Sequence, residues 1–153
     1  MVRDTQDGDE TCSCTTLRKA ARRVSLLYDE ALAPSGLRIT QYALLAELGR
    51  TGPLTVGELA HAMVMERNGL GHNLRPLERD GLVRLDIGHD RRSRVVTLTD
   101  DGRHRLTEAK LLWQHAQDRF RSVLGTDETR TLRALSIAAA YADFPGLPGP
   151  GTT

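Results

Sequence analysis

The chain has 153 residues, of which 39% are hydrophobic and 27% are charged, and its formal net charge is +1. This length and composition favour one ordinary globular domain and exclude a disordered or collagen-like chain. No apolar run approaches the roughly 20 residues that cross a bilayer, and the acidic beginning MVRDTQDGDE is unlike a signal peptide. We therefore expect a cytoplasmic protein with no membrane partner.

The N-terminal part of the chain is predicted to contain a tail followed by a helix. Residues 1–11 have no hydrophobic periodicity and carry one basic and four acidic residues, which is typical of a mobile acidic tail. Apolar residues then recur at helical spacing, which predicts a first helix over Thr15–Leu32. Pro34 and Gly36 follow and end that helix.

Two capping signals mark the next two helices. Thr40 precedes an apolar stripe and is predicted to cap a second helix that ends before Gly52. Thr55 and Glu58 have the spacing of a capping box, in which the hydroxyl accepts a free helix N–H and the carboxylate reaches back. This box predicts a short third helix, which ends at a break near Val64.

A fourth helix and a β-hairpin follow the break. Leucines at i, i+4 and i+7 predict the helix over Glu66–Asp80, and Gly81 ends it. Leu82–Ile87 alternates apolar and polar residues and Arg94–Thr99 is a β-branched run, so the two segments are predicted to pair as strands. A short helix, a tight turn, a second helix and a hairpin form the pattern of a winged helix-turn-helix.

Two more helices complete the predicted single domain, which spans residues 12–144. Thr99 and the acidic residues after it favour the start of a long helix that ends at Gly125. Thr126 is predicted to cap a last helix, and the segment PGLPGPGTT at 145–153 is predicted to be disordered. The expected fold class is therefore mainly α (α+β), a winged helix-turn-helix with a β-hairpin wing.

The fourth helix is the predicted recognition helix, because the second helix of a helix-turn-helix enters the major groove. Its polar face offers side chains suited to hydrogen bonding with bases and phosphates: Arg67, Asn68, His72, Asn73 and Arg75. Gly69 and Gly71 each cost about 1 kcal/mol relative to alanine in a helix interior. Either they let the backbone approach DNA closely, or a neighbouring helix packs tightly against them, or the helix starts irregularly. Thr55 and the N–H groups beside it are expected to bind phosphate.

Five short runs occur in a fixed order along the chain: GLRITQ at 36–41, LTVGELA at 54–60, LERDGLV at 77–83, DRR at 90–92 and LTDDG at 98–102. In this order and spacing, over about residues 17–124, they resemble the MarR family of winged-helix regulators. The resemblance implies a homodimer that binds double-stranded DNA at a pseudo-palindromic operator and usually represses transcription. It also implies a DNA-binding lobe over about residues 37–99 and a dimerisation region of helices from both termini, about 15–33 and 100–143.

The hairpin wing is the second predicted DNA contact. In the family that the chain resembles, an arginine at the wing tip enters the minor groove and a nearby aspartate fixes it, which implies these roles for Arg92 and Asp90. Arg94 adds to the positive charge of the wing, and the negative potential of a narrow minor groove favours arginine. No operator sequence is predicted, because the recognition helix lacks the small hydroxyl residues common in the family and has others in that region: Asn68, Gly69 and Gly71.

Two cysteines stand close together at the start of the first helix, Cys12 and Cys14. A helix N-terminus and the nearby Arg18 and Lys19 would lower a thiol pKa and raise its reactivity, which favours a redox sensor. An incidental pair is the alternative. Side chains two apart in a helix point in nearly opposite directions, so a bond between these cysteines requires a non-helical turn. Two thiols do not complete a zinc site, so we predict no metal and no cofactor.

The function predicted from these patterns is that of a sequence-specific DNA-binding transcriptional regulator, not an enzyme. We expect a homodimeric repressor that leaves its operator after thiol oxidation or after binding a small ligand. Tyr28, Tyr42 and Trp113 are candidate ligand contacts, although aromatic residues on apolar stripes are usually core. A winged-helix protein–protein adaptor is the alternative. A thiol oxidoreductase is disfavoured, because the chain has no C-x-x-C and no catalytic Ser/His pattern.

Overall fold

The computed structural model of the protein describes residues 12–150. Within them the chain forms six α-helices: α1 Ser13–Leu32, α2 Ile39–Thr51, α3 Val56–Ala62, α4 Arg67–Arg79, α5 Asp100–Leu124 and α6 Thr126–Ala140. Three short strands lie among them: β1 Leu54–Thr55, β2 Val83–Ile87 and β3 Arg94–Leu98. This mainly helical architecture with a small antiparallel sheet confirms the predicted fold class. The predicted acidic tail at 1–11 and residues 151–153 lie outside the described residues.

The three strands form one antiparallel sheet in the order β1-β3-β2. The predicted hairpin is present: Val83 of β2 pairs with Leu98 of β3 at its base, and Ile87 pairs with Arg94 towards its tip. The sequence does not predict β1, because a strand of two residues is too short for a periodic signal. β1 nevertheless pairs with β3 and so attaches the start of α3 to the wing.

The hydrophobic core lies between α2, α3, α4 and the sheet. Its largest side chains are almost fully buried leucines: Leu32, Leu44, Leu45, Leu48, Leu59, Leu70 and Leu77. Val96 of β3 and Ala109 of α5 are also fully buried in this cluster. Burying one leucine side chain contributes about 1.5–3 kcal/mol, so this region has a core of its own within one chain. No helix in residues 12–150 has the length and apolar character that crossing a membrane requires.

The predicted cap of α2 is wrong. The helix begins at Ile39, before Thr40 is reached. The N–H of Arg38 donates to Gln41 Oε1 (2.9 Å), and the N–H of Ile39 donates to Asp29 Oδ1 (2.8 Å). Because the first N–H groups of a helix need acceptors from outside the helix, these two side chains take the role predicted for Thr40.

Of the two helix caps predicted at the ends of α5, one is present in the structure and the other is not. The Thr99 hydroxyl accepts the N–H of Gly102 (3.0 Å), which confirms the predicted cap of α5. α6 is preceded by Gly125, whose φ is 107°, and Thr126 makes no capping hydrogen bond in the structure. The predicted cap by Thr126 is therefore wrong, since the chain reverses at a left-handed position that favours glycine.

The segment after α6 contacts the end of α3. α6 ends at Ala140, and residues 141–150 form turns. Tyr141 Oη donates to the Ala62 carbonyl oxygen (3.1 Å), and His61 Nδ1 lies 2.6 Å from the Pro150 carbonyl oxygen. These contacts attach the described part of this segment to the end of α3.

Candidate nucleic-acid interface

The start of α3 is organised by the predicted capping box. Thr55 Oγ1 accepts the N–H of Glu58 (3.1 Å), and Glu58 Oε2 accepts the N–H of Thr55 (2.8 Å). The backbone N–H and then the hydroxyl of Thr55 lower the pKa of the Glu58 carboxyl, because both stabilise its charged form. The hydroxyl of Thr55 also donates to Glu58 Oε2 (2.8 Å). Its proton is therefore engaged within the protein, which weakens the predicted role of Thr55 as a phosphate donor.

The recognition helix α4 presents one apolar and one polar face. Leu70, Leu74 and Leu77 are at most 2% exposed and pack into the core. The outer face carries exposed side chains that the sequence predicts as DNA contacts: Arg67, Asn68, His72 and Arg75. Because residues three and four apart lie on the same side of a helix, positions 68, 72 and 75 form one continuous polar row.

Asn73 does not belong fully to this outer row. It is half-buried, and its Nδ2 donates to the carbonyl oxygen of Gly69 one turn earlier in the helix (2.8 Å). An asparagine that reads adenine uses both its amide N–H group and its carbonyl, so this side chain must rotate before it can contact a base in that way. The sequence pattern shows which residue types lie on a helix but not which rotamers they adopt.

The two glycines of α4 are not required by internal packing. A Cβ added at Gly71 would meet nothing within 4 Å, and one added at Gly69 would meet only the Met65 side-chain tip at 3.9 Å. The helix is also regular from Arg67 onward. The two structural explanations considered from the sequence, tight packing and an irregular start, are therefore wrong, and close approach of the backbone to DNA stays a prediction.

The wing tip is held by a backbone contact of Asp90. Its Oδ1 accepts the N–H of Arg92 (3.1 Å), and its carbonyl accepts the N–H of Ser93 (2.8 Å). Asp90 therefore fixes the turn that carries Arg92, whereas the resemblance implies that it fixes the arginine itself. The side chains of Arg91, Arg92 and Arg94 are exposed.

The start of α3, the start of α4 and the wing meet around one groove. It has a volume of about 430 Å³ and is lined by Thr55, Val56, Gly57, Arg67, Asp90, Arg92, Ser93 and Arg94. Arg67 reaches the backbone of α3, since a Cβ added at Gly57 would lie 3.5 Å from Arg67 Nη2. Five of the predicted contacts are thus brought together, from three separate segments of the chain.

The arginines of this face differ from other arginines of the same lobe in their ion pairs. Arg50, Arg79 and Arg84 pair with acidic side chains at 2.6, 2.9 and 2.8 Å. Within residues 12–150, no ion pair is formed by the arginines of the recognition helix's outer face or the wing tip: Arg67, Arg75, Arg91, Arg92 and Arg94. Because no internal acid neutralises them, these five guanidinium groups are free to bind an external anion.

The cysteines lie on a different element from this groove. Cys12 immediately precedes α1, Cys14 lies in its first turn, and both are exposed free thiols. The hydroxyl of Thr15, followed by the N–H groups of Thr15 and Cys14, lowers the pKa of the Cys12 thiol because each donor favours the thiolate. No cluster of three or more His, Cys, Asp or Glu side chains that could hold a metal ion occurs in residues 12–150.

These elements define a winged helix-turn-helix protein. They are a short helix, a sharp turn, a recognition helix with a polar outer face, and a hairpin whose tip carries unpaired arginines. Residues 35–93 match the model of the MarR family. The chain is 39% identical to the Mycobacterium tuberculosis transcriptional regulator MosR, whose structure was solved in complex with DNA; the match covers 84% of this chain and 96% of MosR, with a TM-score of 0.74. The protein therefore belongs to the MarR family of transcriptional regulators. Members of this family are transcription regulators and not enzymes, in agreement with the prediction.

Two further relatives support this assignment. CouR of Rhodococcus jostii RHA1, a transcriptional repressor solved with a 23-mer DNA duplex, is 29% identical, with a TM-score of 0.75 and coverage of 84% of this chain and 92% of CouR. The transcriptional activatory protein BadR of Rhodopseudomonas palustris is 34% identical over 118 residues, which are 69% of this chain. That alignment spans 63% of the length of BadR.

Proposed function

We propose that the protein is a homodimeric regulator that binds a pseudo-palindromic DNA operator. The observation that carries this proposal is the groove where Arg67, at the start of α4, meets Arg92 and Arg94 of the wing. Five exposed arginines of the α4 outer face and the wing tip also have no acid partner within residues 12–150. The DNA complexes of MosR and CouR support it, because both relatives share the fold over most of their length.

Each part of the face is assigned a role by its chemistry. We assign the exposed Asn68, His72 and Arg75 to base edges in the major groove, where such side chains form specific hydrogen bonds. Arg92, with Arg94 beside it, enters the flanking minor groove. Arg67 binds phosphate next to α3, a task for which the Thr55 hydroxyl has no free proton. Gly71 lets the recognition helix approach the DNA.

Dimerisation is supported by the apolar surface of the terminal helices. Large hydrophobic side chains of α1, α5 and α6 remain between 38% and 88% exposed: Leu17, Leu26, Leu111, Val123, Leu124, Leu132, Leu135 and Ile137. A monomer rarely exposes so many apolar side chains on adjacent helices. We therefore assign this terminal-helix surface to the contact between two copies of the chain.

We further propose repression that is relieved by oxidation of Cys12. An exposed thiol whose pKa is lowered reacts faster with oxidants than an ordinary one. Thr16 donates its N–H to the Cys12 carbonyl (3.0 Å), and a bond between Cys12 and Cys14 would require this first turn of α1 to open. Since α1 belongs to the terminal-helix surface, its opening would alter the dimer and the separation of the recognition helices.

A small-molecule effector is the second candidate, and an apolar groove of about 410 Å³ between α1, α5 and α6 favours it. Tyr28 lines this groove together with Phe120 and Leu132. Tyr42 and Trp113 instead stack on each other with ring centroids 5.7 Å apart, and Tyr42 is buried. Tyr28 is as buried as Tyr42, but of the three aromatic candidates it is the one that lines this groove, so we assign the ligand contact to it.

Selection of bound duplexes from a random pool tests the DNA-binding proposal. We expect an inverted repeat with half-site centres about 34 Å apart, and an affinity that falls steeply with salt because bound phosphates release counterions. Failure to enrich any duplex at low ionic strength would contradict the proposal. In cells, deleting the gene is expected to raise transcription from the operator, whereas a decrease would indicate an activator.

The oxidation proposal is tested separately on the selected operator. Diamide or peroxide is expected to release wild-type protein, and dithiothreitol is expected to restore binding. Cys12→Ser should remain bound under the same oxidant, with Ser13→Ala as a control at the neighbouring exposed position. If the oxidant leaves wild-type binding unchanged, thiol regulation is wrong while DNA binding stands.

A further inference from the structure

The recognition helix and the long helix α5 are joined through the backbone of one residue. Leu82, between α4 and β2, is 3% exposed. Its N–H donates to the Leu77 carbonyl near the end of α4 (2.8 Å), and its own carbonyl accepts the N–H of Thr99 at the start of α5 (3.1 Å). Thr99 Oγ1 also donates to the carbonyl of Gly81 (2.6 Å). The end of α4 and the start of α5 are therefore held together by three hydrogen bonds, which we call the α4–α5 junction.

Gly102, in the first turn of α5, is buried against this junction. A Cβ added there would overlap the carbonyl oxygen of Leu82 and would lie 2.6 Å from Leu98 Cδ1. A leucine methyl can rotate away from such a contact. The Leu82 carbonyl cannot do so without moving the backbone that connects α4 to β2, so any side chain at position 102 must push α5 away from the recognition helix.

The length of α5 amplifies a small change at its start. The helix has 25 residues and is therefore about 37 Å long. A tilt of about 5° at the junction moves the far end by roughly 3 Å, which is close to the rise of about 3.4 Å per base pair of DNA. Because that far end belongs to the terminal-helix surface, the tilt changes the position of each recognition helix relative to the dimer.

We infer that Gly102 is a positioning residue that sets the separation of the two recognition helices, and with it the spacing of the DNA half-sites that the dimer accepts. Its missing side chain lets α5 rest directly on the Leu82 carbonyl. This inference rests on the proposed function, since it assumes a dimer that binds two half-sites at once.

The test measures how Gly102→Ala changes the spacer preference of the dimer. The selected operator is compared with versions whose spacer is one base pair longer or shorter. Wild type is expected to bind one spacer best. Gly102→Ala is expected to stay dimeric. Its affinity for that spacer should fall about tenfold, a loss similar to that from one mismatched base pair. Its preference among the three spacers should become flatter or shift to another spacer. A merely structural defect would weaken binding to all three spacers by the same factor.

Gly49→Ala is the matched control. It also adds a methyl group to a helix, but the nearest atom is the flexible tip of Leu106, with Cδ2 at 3.0 Å. This variant should keep the wild-type spacer profile. If Gly102→Ala does not fold, Thr99→Val loosens the same junction without adding bulk, because it removes the hydrogen bond to Gly81 and the cap that accepts the Gly102 N–H. It should also change the spacer profile.

Two outcomes overturn the inference, and they are distinguishable. A folded, dimeric Gly102→Ala with the wild-type spacer profile shows that position 102 does not set the spacing. Wild-type protein that binds every spacer equally well, or no duplex at all, contradicts the proposed two-site binding on which the inference rests.

Discussion

The DNA-binding lobe and the terminal helices α1, α5 and α6 differ in how far their apolar side chains are buried. In the lobe, the core leucines of α2, α3 and α4 are at most 2% exposed. On the terminal helices, Val123, Leu135 and Ile137 are 88%, 65% and 55% exposed. The lobe therefore completes its hydrophobic core within one chain, whereas the terminal helices present a surface that a second chain would bury. In the proposed dimer, folding and assembly would thus depend on different parts of this sequence.

The arginines of the wing tip and the α4 outer face also differ from paired arginines at the far end of the terminal helices. On the terminal helices, Arg121 and Arg130 pair with aspartates at 3.2 and 2.8 Å. In the lobe, the arginines of the wing tip and the outer face of α4 make no ion pair within residues 12–150. The lobe thus offers unneutralised positive charge, which suits DNA, and the terminal helices offer apolar area, which suits a second copy of the protein.

The largest expected effect comes from placing charge in the terminal-helix surface. Leu132→Glu combined with Leu135→Glu should yield a monomer, because two carboxylates would have to be desolvated at the interface. Affinity for the selected operator should fall by about 10³-fold or more, towards non-specific binding. Sedimentation velocity and fluorescence anisotropy measure the two effects. Ile87→Glu, at a wing position that is 67% exposed, is the control for oligomeric state and should remain dimeric; a dimeric double variant would contradict the assignment.

A core substitution in the lobe tests whether its hydrophobic core is complete within one chain. Leu45 is fully buried, and Leu45→Ala should reduce the free energy of unfolding by about 2–5 kcal/mol through lost burial and a cavity. Urea denaturation at fixed protein concentration measures this change. Ile87→Ala, on the surface of the same lobe, should stay within about 0.5 kcal/mol of wild type. Equal effects of the two substitutions would show that the lobe core is not closed as described.

Removing the wing arginine should affect binding and not folding. Arg92→Ala is expected to cost about 1–3 kcal/mol of binding free energy on the operator, measured as Kd at matched salt. Arg84→Ala in the same hairpin is the matched control, because Arg84 is paired with Asp86 at 2.8 Å. If both variants bind like wild type, the wing has no part in recognition.

The smallest expected effect separates capping from phosphate binding at Thr55. Thr55→Ala should lower the free energy of unfolding by about 1 kcal/mol through loss of the α3 cap, whereas Thr55→Ser should keep most of it. Affinity for DNA should change less than stability, because the hydroxyl proton is engaged by Glu58. A large loss of affinity with unchanged stability would instead make Thr55 a phosphate contact.

The sequence predicts those features that depend on local spacing. The leucine stripe of α4, the capping box at Thr55 and the strand alternation of the wing are all present in the structure. Features that depend on distant residues are missed: Asp29 accepts the first N–H of α2 from ten residues away, and β1 exists only because β3 lies beside it. The same limit holds in the site, where Asn73 turns back to Gly69 through a rotamer that no pattern reveals.

The central claim is that two copies of the chain present two recognition helices and two wings to one duplex. It is tested most directly by measuring stoichiometry and affinity together, by sedimentation equilibrium and anisotropy, on the selected operator and on a version with one half-site scrambled. We predict two chains per duplex and a loss of about 100-fold or more on the scrambled duplex, which approaches the 10³–10⁷-fold difference between specific and non-specific binding. One chain per duplex, or equal affinity for the two duplexes, would contradict the claim.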